Sequence, residues 1–115
     1  MYYEDKCLTL MRQTEMLFDE VVPSLKNFPR SERATLVNQI KLTLWEIMGK
    51  LLSAPYQSNL RDFTSAIKEV RGKCYFLAAL FQTAKRYEYI SIEFHTLLSR
   101  RLSDISNGTT AIIDR

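Results

Sequence analysis

Few residues in this chain have types that could do chemistry, and their spacings exclude most of the reactions they would serve. The one histidine, His95, has Ile92 three positions before it, so the Glu-x-x-His pair that a di-metal helical site requires is absent. With Glu93 and Ser99 nearby, His95 reads as a surface or boundary side chain rather than a base. Glu15, Asp19 and Glu20 cluster within one helical segment, but without a proton partner or an apolar cleft they read as a solvated face. Cys7 and Cys74 form no Cys-x-x-Cys pair and fall on apolar stripes, so two buried, reduced thiols are expected. No Gly-x-Gly-x-x-Gly or Gly-x-x-x-x-Gly-Lys run offers a phosphate cradle. The expectation is a protein that is not an enzyme and uses no metal or cofactor.

What remains is charge. In Phe28-Pro29-Arg30-Ser31-Glu32-Arg33, Pro29 suits a first helical turn, and Ser31 or Asn27 can cap the free amides. Arg30 and Arg33 would then stand at the positive end of the helix dipole, where Glu32 alone would be the comfortable choice, so something other than helix stability is expected to have selected them. The formal net charge of +3 also hides a segregation. Glu4, Asp5, Glu15, Asp19 and Glu20 outnumber Lys6 and Arg12 in the first helical segment, whereas the cations concentrate downstream. The candidate nucleic-acid-binding residues are Arg30, Arg33, Lys41, Lys68, Arg71, Lys73, Lys85, Arg86, Arg100 and Arg101. The bland alternative is a soluble lysine–arginine face, with Glu69 within a turn of Arg71 and Lys73.

These residues must be positioned by helices. A chain of 115 residues with three glycines and three prolines is the size of one domain and too poor in turn formers for a β protein. Apolar residues recur at three- and four-residue steps in four stripes. They are Cys7, Met11, Thr14, Phe18 and Val21, widened by Leu10, Leu17 and Val22; Leu36 to Leu51; Leu60 to Ala84; and Phe94 to Ile105. Breaks fall near Pro23, at Ser53-Ala54-Pro55 and before a Ser91 cap, and Asn107-Gly108 supplies a left-handed stop. The expected helices cover about residues 3–22, 29–52, 59–86 and 91–107 of a single domain. Short connections favour antiparallel neighbours, so the expected fold is all-α, an up-down-up-down four-helix bundle. No apolar run approaches the roughly 20 residues of a membrane span, and the opening Met1-Tyr2-Tyr3-Glu4-Asp5 lacks a secretory pattern, which implies a cytoplasmic protein.

One stretch exceeds what a lone bundle requires. Cys74 to Phe81 is apolar all the way round, and Trp45 lies off the core stripe of its helix. Trp45, Tyr75, Phe76, Ala79 and Leu80 are therefore the expected interface of a homo-oligomer.

The Phe28-to-Arg33 opening, the long Leu/Ile stripe after it, the basic third helix and the Tyr-Glu-Tyr-Ile-Ser junction at Tyr87 to Ser91 resemble the accessory variability determinant proteins of diversity-generating retroelements. The likeness runs from about Leu10 to Ile105. It implies a non-enzymatic four-helix bundle assembled as a ring-like pentamer, binding RNA or DNA through basic surfaces and associating with the retroelement reverse transcriptase. Arg30 and Arg33 match the motif directly, and Arg86 precedes the junction. The Phe-Pro-basic-Ser-Glu-Arg opening is also similar to the ribosomal-RNA intervening-sequence proteins, a related group of four-helix bundles. A protein-binding bundle without nucleic acid is the remaining alternative.

Overall fold

Asn59 begins the longest helix as a side-chain cap: its Oδ1 accepts from the Asp62 amide at 2.8 Å, satisfying one of the free donors of the first turn. From there α3 (Leu60–Arg86) buries Phe63, Ile67, Val70, Cys74, Leu77, Phe81 and Ala84 on one continuous face. Only Leu60, at the helix start, leaves the stripe for solvent. The computed structural model describes residues 2–114, with side chains for 4–114. Around α3 stand α1 (Tyr2–Ser24), α2 (Leu36–Ser53) and α4 (Ile92–Ile113), with no strand among the described residues. α3 packs on α2 and α4, and α1 closes the square by packing on the same two helices. The result is an antiparallel four-helix bundle whose long axis of 44 Å is nearly the length of α3.

The core is a single cluster drawn from all four helices. Its buried threonines are satisfied locally, Thr14 Oγ1 donating to the Leu10 carbonyl at 2.8 Å and Thr43 Oγ1 to Gln39 at 2.7 Å. Cys7 and Cys74 are free and buried. Burial pushes the Cys7 thiol up to about 11 and the Cys74 thiol up to about 12, so both stay protonated and unreactive in the folded protein.

Three features differ from the sequence-based expectation. α2 starts at Leu36 rather than near Pro29. Pro29 instead leads a 3₁₀ turn, Arg30–Glu32, and Thr35 (φ −115°, ψ −97°) breaks the path into the helix. No side-chain cap forms at either start, so neither Ser31 nor Asn27 plays that part, and Arg30 and Arg33 lie outside the first turn of α2. α4 also continues through Asn107-Gly108 to Ile113, and Gly108 has no left-handed backbone. This glycine is needed for proximity: a Cβ there would lie 2.5 Å from Leu10 Cδ2 on α1. Finally, the buried line of α1 runs through Leu10 and Leu17, leaving Met11 and Phe18 half-buried at its edge and Val22 exposed.

Candidate nucleic-acid interface

The α1–α2 and α3–α4 connections meet at one end of the bundle. α3 closes with a Schellman arrangement in which the Tyr89 amide donates to the Ala84 carbonyl at 2.8 Å and the Glu88 amide to Lys85 at 2.9 Å. The position that glycine ordinarily fills there is Glu88, at φ 63°. This turn aims Tyr89 back across the bundle end. Its ring packs on Phe28 with centroids 5.4 Å apart, and its hydroxyl donates to Glu32 Oε2 at 2.9 Å. Thr35 Oγ1 donates to the other carboxylate oxygen. The bonds from Thr35 and Tyr89 hold the Glu32 carboxyl below its ordinary pKa, and the bond to Glu32 raises that of Tyr89.

Glu32 is thus engaged within the structure, while Arg30 and Arg33 on either side of it are exposed. Lys85 and Arg86 reach the same end from the last turn of α3, a position the helix dipole also favours. Arg86 lies over the ring of Tyr87, 5.3 Å from its centroid, and Tyr87 sits 5.8 Å from the Tyr89 ring. His95 completes the neighbourhood, with burial and then the Lys85 charge lowering its pKa and favouring neutral imidazole.

The other predicted cations divide. Lys73 pairs with Glu46 at 3.1 Å and Arg101 with Glu20 at 2.7 Å, each bridging two helices. Arg71 donates to Thr110 Oγ1 at 3.2 Å. These three brace the bundle. Lys41, Lys68 and Arg100 are exposed along its length. Lys68 falls on the same line of α3 as Arg86, five turns away, with Arg61 one heptad before it. Arg61 and Tyr87 are absent from the sequence-based candidates, although an aromatic directly after a basic pair was a usable signal for the second.

The predicted interface residues do not form one surface. Trp45 is 64% exposed and meets Phe18 edge-on with centroids 5.0 Å apart, which places it on the α1/α2 seam. Met11 and Leu52, one heptad along these antiparallel helices, extend that seam. Tyr75, 60% exposed, lines a groove with Ser99 and Ser103 of α4, on the opposite side of the square. Phe76 and Ala79 are exposed and Leu80 is half-buried against the core. The stretch from Cys74 to Phe81 therefore buries one face and leaves the remainder open.

Among the described residues no three metal-ligating side chains converge, and no helix is long and apolar enough to cross a membrane. No protein-family model and no curated protein matches the chain. Among solved structures it is similar to the crystal structure of a protein of unknown function from the S23 ribosomal protein family of Bacteroides thetaiotaomicron. The two share 18% identity, with 98% of this chain and 99% of that chain covered at a TM-score of 0.72. At that identity the likeness shows a common fold over the full length of both chains.

Proposed function

We propose that this chain is a non-catalytic accessory bundle of the accessory variability determinant type, which binds template RNA or its cDNA and holds it beside the reverse transcriptase of a diversity-generating retroelement. The observation that carries this is the meeting of the two connections, which gathers the motif arginines Arg30 and Arg33 with Lys85 and Arg86 while the intervening Glu32 is held by Thr35 and Tyr89. Phosphates would approach this end, and Lys68, Lys41 and Arg100 would extend contact along the bundle. The motif resemblance and the four-helix fold support the same assignment. Exposed aromatic residues on two opposite faces support self-association, because contacts between unlike patches make a ring when the rotation between subunits closes. A pentamer is the number the resemblance implies, and the cytoplasm is where template and polymerase would be met.

A ribosomal-RNA intervening-sequence-type bundle is the second possibility, favoured by the S23 ribosomal family of the structural neighbour. It keeps RNA contact and drops the polymerase, so co-purification with the reverse transcriptase separates the two.

The charge-reversal pairs Arg30→Glu/Arg33→Glu and Lys85→Glu/Arg86→Glu test the site. Each pair is expected to weaken RNA binding at low salt by roughly tenfold or more and to flatten its salt dependence. Arg12→Glu, on the acidic helix, should change affinity by no more than about twofold. Helical content should be unaltered, since exposed charges contribute little to stability. Affinity equal to wild type in both pairs would remove the nucleic-acid assignment.

A further inference from the structure

We propose that the basic end takes single-stranded nucleic acid, with one unstacked base lying on the ring of Tyr87 and the neighbouring phosphates held by Arg30, Arg33 and Arg86. This rests on the nucleic-acid assignment above and adds the strand type and the group that selects it. Tyr87 is 54% exposed, a large aromatic surface left in water beside a cluster of cations. Bulk hydrophobicity does not explain it, since the core passes through Ala84 before it and Tyr89 packs on Phe28 after it.

The ring stands on an ordered turn, between Tyr89 and Arg86, before any ligand arrives. The Tyr87 amide donates to Thr83 at 3.0 Å, and the two following amides are tied to Lys85 and Ala84, so the backbone is fixed on both sides. Glu88 accepts a left-handed conformation to make this closure. Tyr89, 5.8 Å away and tilted 46°, stands beside the Tyr87 ring, and its own hydroxyl is anchored on Glu32. Arg86 lies against Tyr87 at 5.3 Å, where its guanidinium can keep a cation–π contact and reach a phosphate together.

Only an unpaired strand can use such a platform, because bases within a duplex already stack on each other and present no free face. Stacking also reads no 2′-hydroxyl, so RNA and DNA single strands should be bound alike. Cations alone would favour the duplex, with its denser phosphates.

The test is fluorescence binding, at one salt concentration, of a short single-stranded RNA, the DNA of the same sequence, and the RNA duplex, each carrying 2-aminopurine. Both single strands are expected to bind more tightly than the duplex, with quenching of the 2-aminopurine signal. Tyr87→Ala should weaken single-strand binding roughly 5- to 150-fold and abolish the quenching. It should leave duplex binding and the salt slope unchanged, and Tyr87→Phe should restore wild-type behaviour. Circular dichroism of both variants should match wild type. Equal binding of strand and duplex, or Tyr87→Ala binding as wild type, would overturn the stacking role and leave the cationic end standing. A loss confined to RNA would assign Tyr87 to sugar recognition and also overturn it. Failure of the wild type to bind any of the three would overturn both this proposal and the function it rests on.

Discussion

Glu88 occupies a conformation that glycine adopts without cost, and it does so at the junction that sets both Tyr87 and Tyr89. A left-handed non-glycine residue costs roughly 1–2 kcal/mol, partly offset on replacement by the greater freedom of glycine in the unfolded chain. Glu88→Gly is therefore expected to raise stability by about 0.5–1 kcal/mol, read as a higher midpoint in denaturant. A lower midpoint would mean that the Glu88 side chain contributes something the backbone geometry does not reveal. Sequence could not expose this strain, because Tyr-Glu-Tyr carries no turn signal. Nor could it separate braces from free cations: Lys73 finds Glu46 27 residues away, and Arg101 finds Glu20 81 residues away.

Among the elements, α3 was the most legible, for a long helix with one buried face repeats its stripe many times. The start of α2 was not legible, since Thr35 and Glu32 are placed by a tyrosine from the far connection. Asn107-Gly108 misled because glycine marks either a helix end or a close approach, and only packing decides. The three helical glycines turn this into a measurement. Nothing lies within 4 Å of a Cβ built at Gly49 or Gly72. Alanine at either should stabilise by about 0.5–1 kcal/mol through helix propensity. At Gly108 the same gain must be set against displacement of Leu10, which is only 2% exposed, so Gly108→Ala should be the least stable of the three alanine variants. Equal gains at all three sites would show that Leu10 moves aside freely.

For the whole molecule, the position of Trp45 and Tyr75 on opposite faces changes what self-association would look like. A two-fold dimer joins like patch to like patch, whereas two unlike patches make a head-to-tail contact. Trp45→Arg and Tyr75→Arg each remove one half of such a contact. Each variant alone should run as a monomer in light scattering, and an equimolar mixture should yield a heterodimer and nothing larger. A mixture that rebuilds the full wild-type assembly, or a variant that keeps it, would show that these faces are not the joint. The four-helix architecture was readable from periodicity, but the division of exposed apolar residues between faces was not, because it depends on which neighbour each helix meets.

The square arrangement also has a kinetic side. Three of its four seams join helices consecutive in the chain, and only the α1/α4 seam unites segments from opposite ends. Closing that seam carries the largest loop-closure entropy, while the other three form from local hairpins at little cost. Gly108 against Leu10 lies within it. The kinetics of Gly108→Ala therefore place the closing of this seam: faster unfolding with unchanged refolding sets it after the main barrier, and slower refolding sets it within the barrier. In the first case, the glycine that sets how closely α1 and α4 approach also governs how long the closed bundle persists.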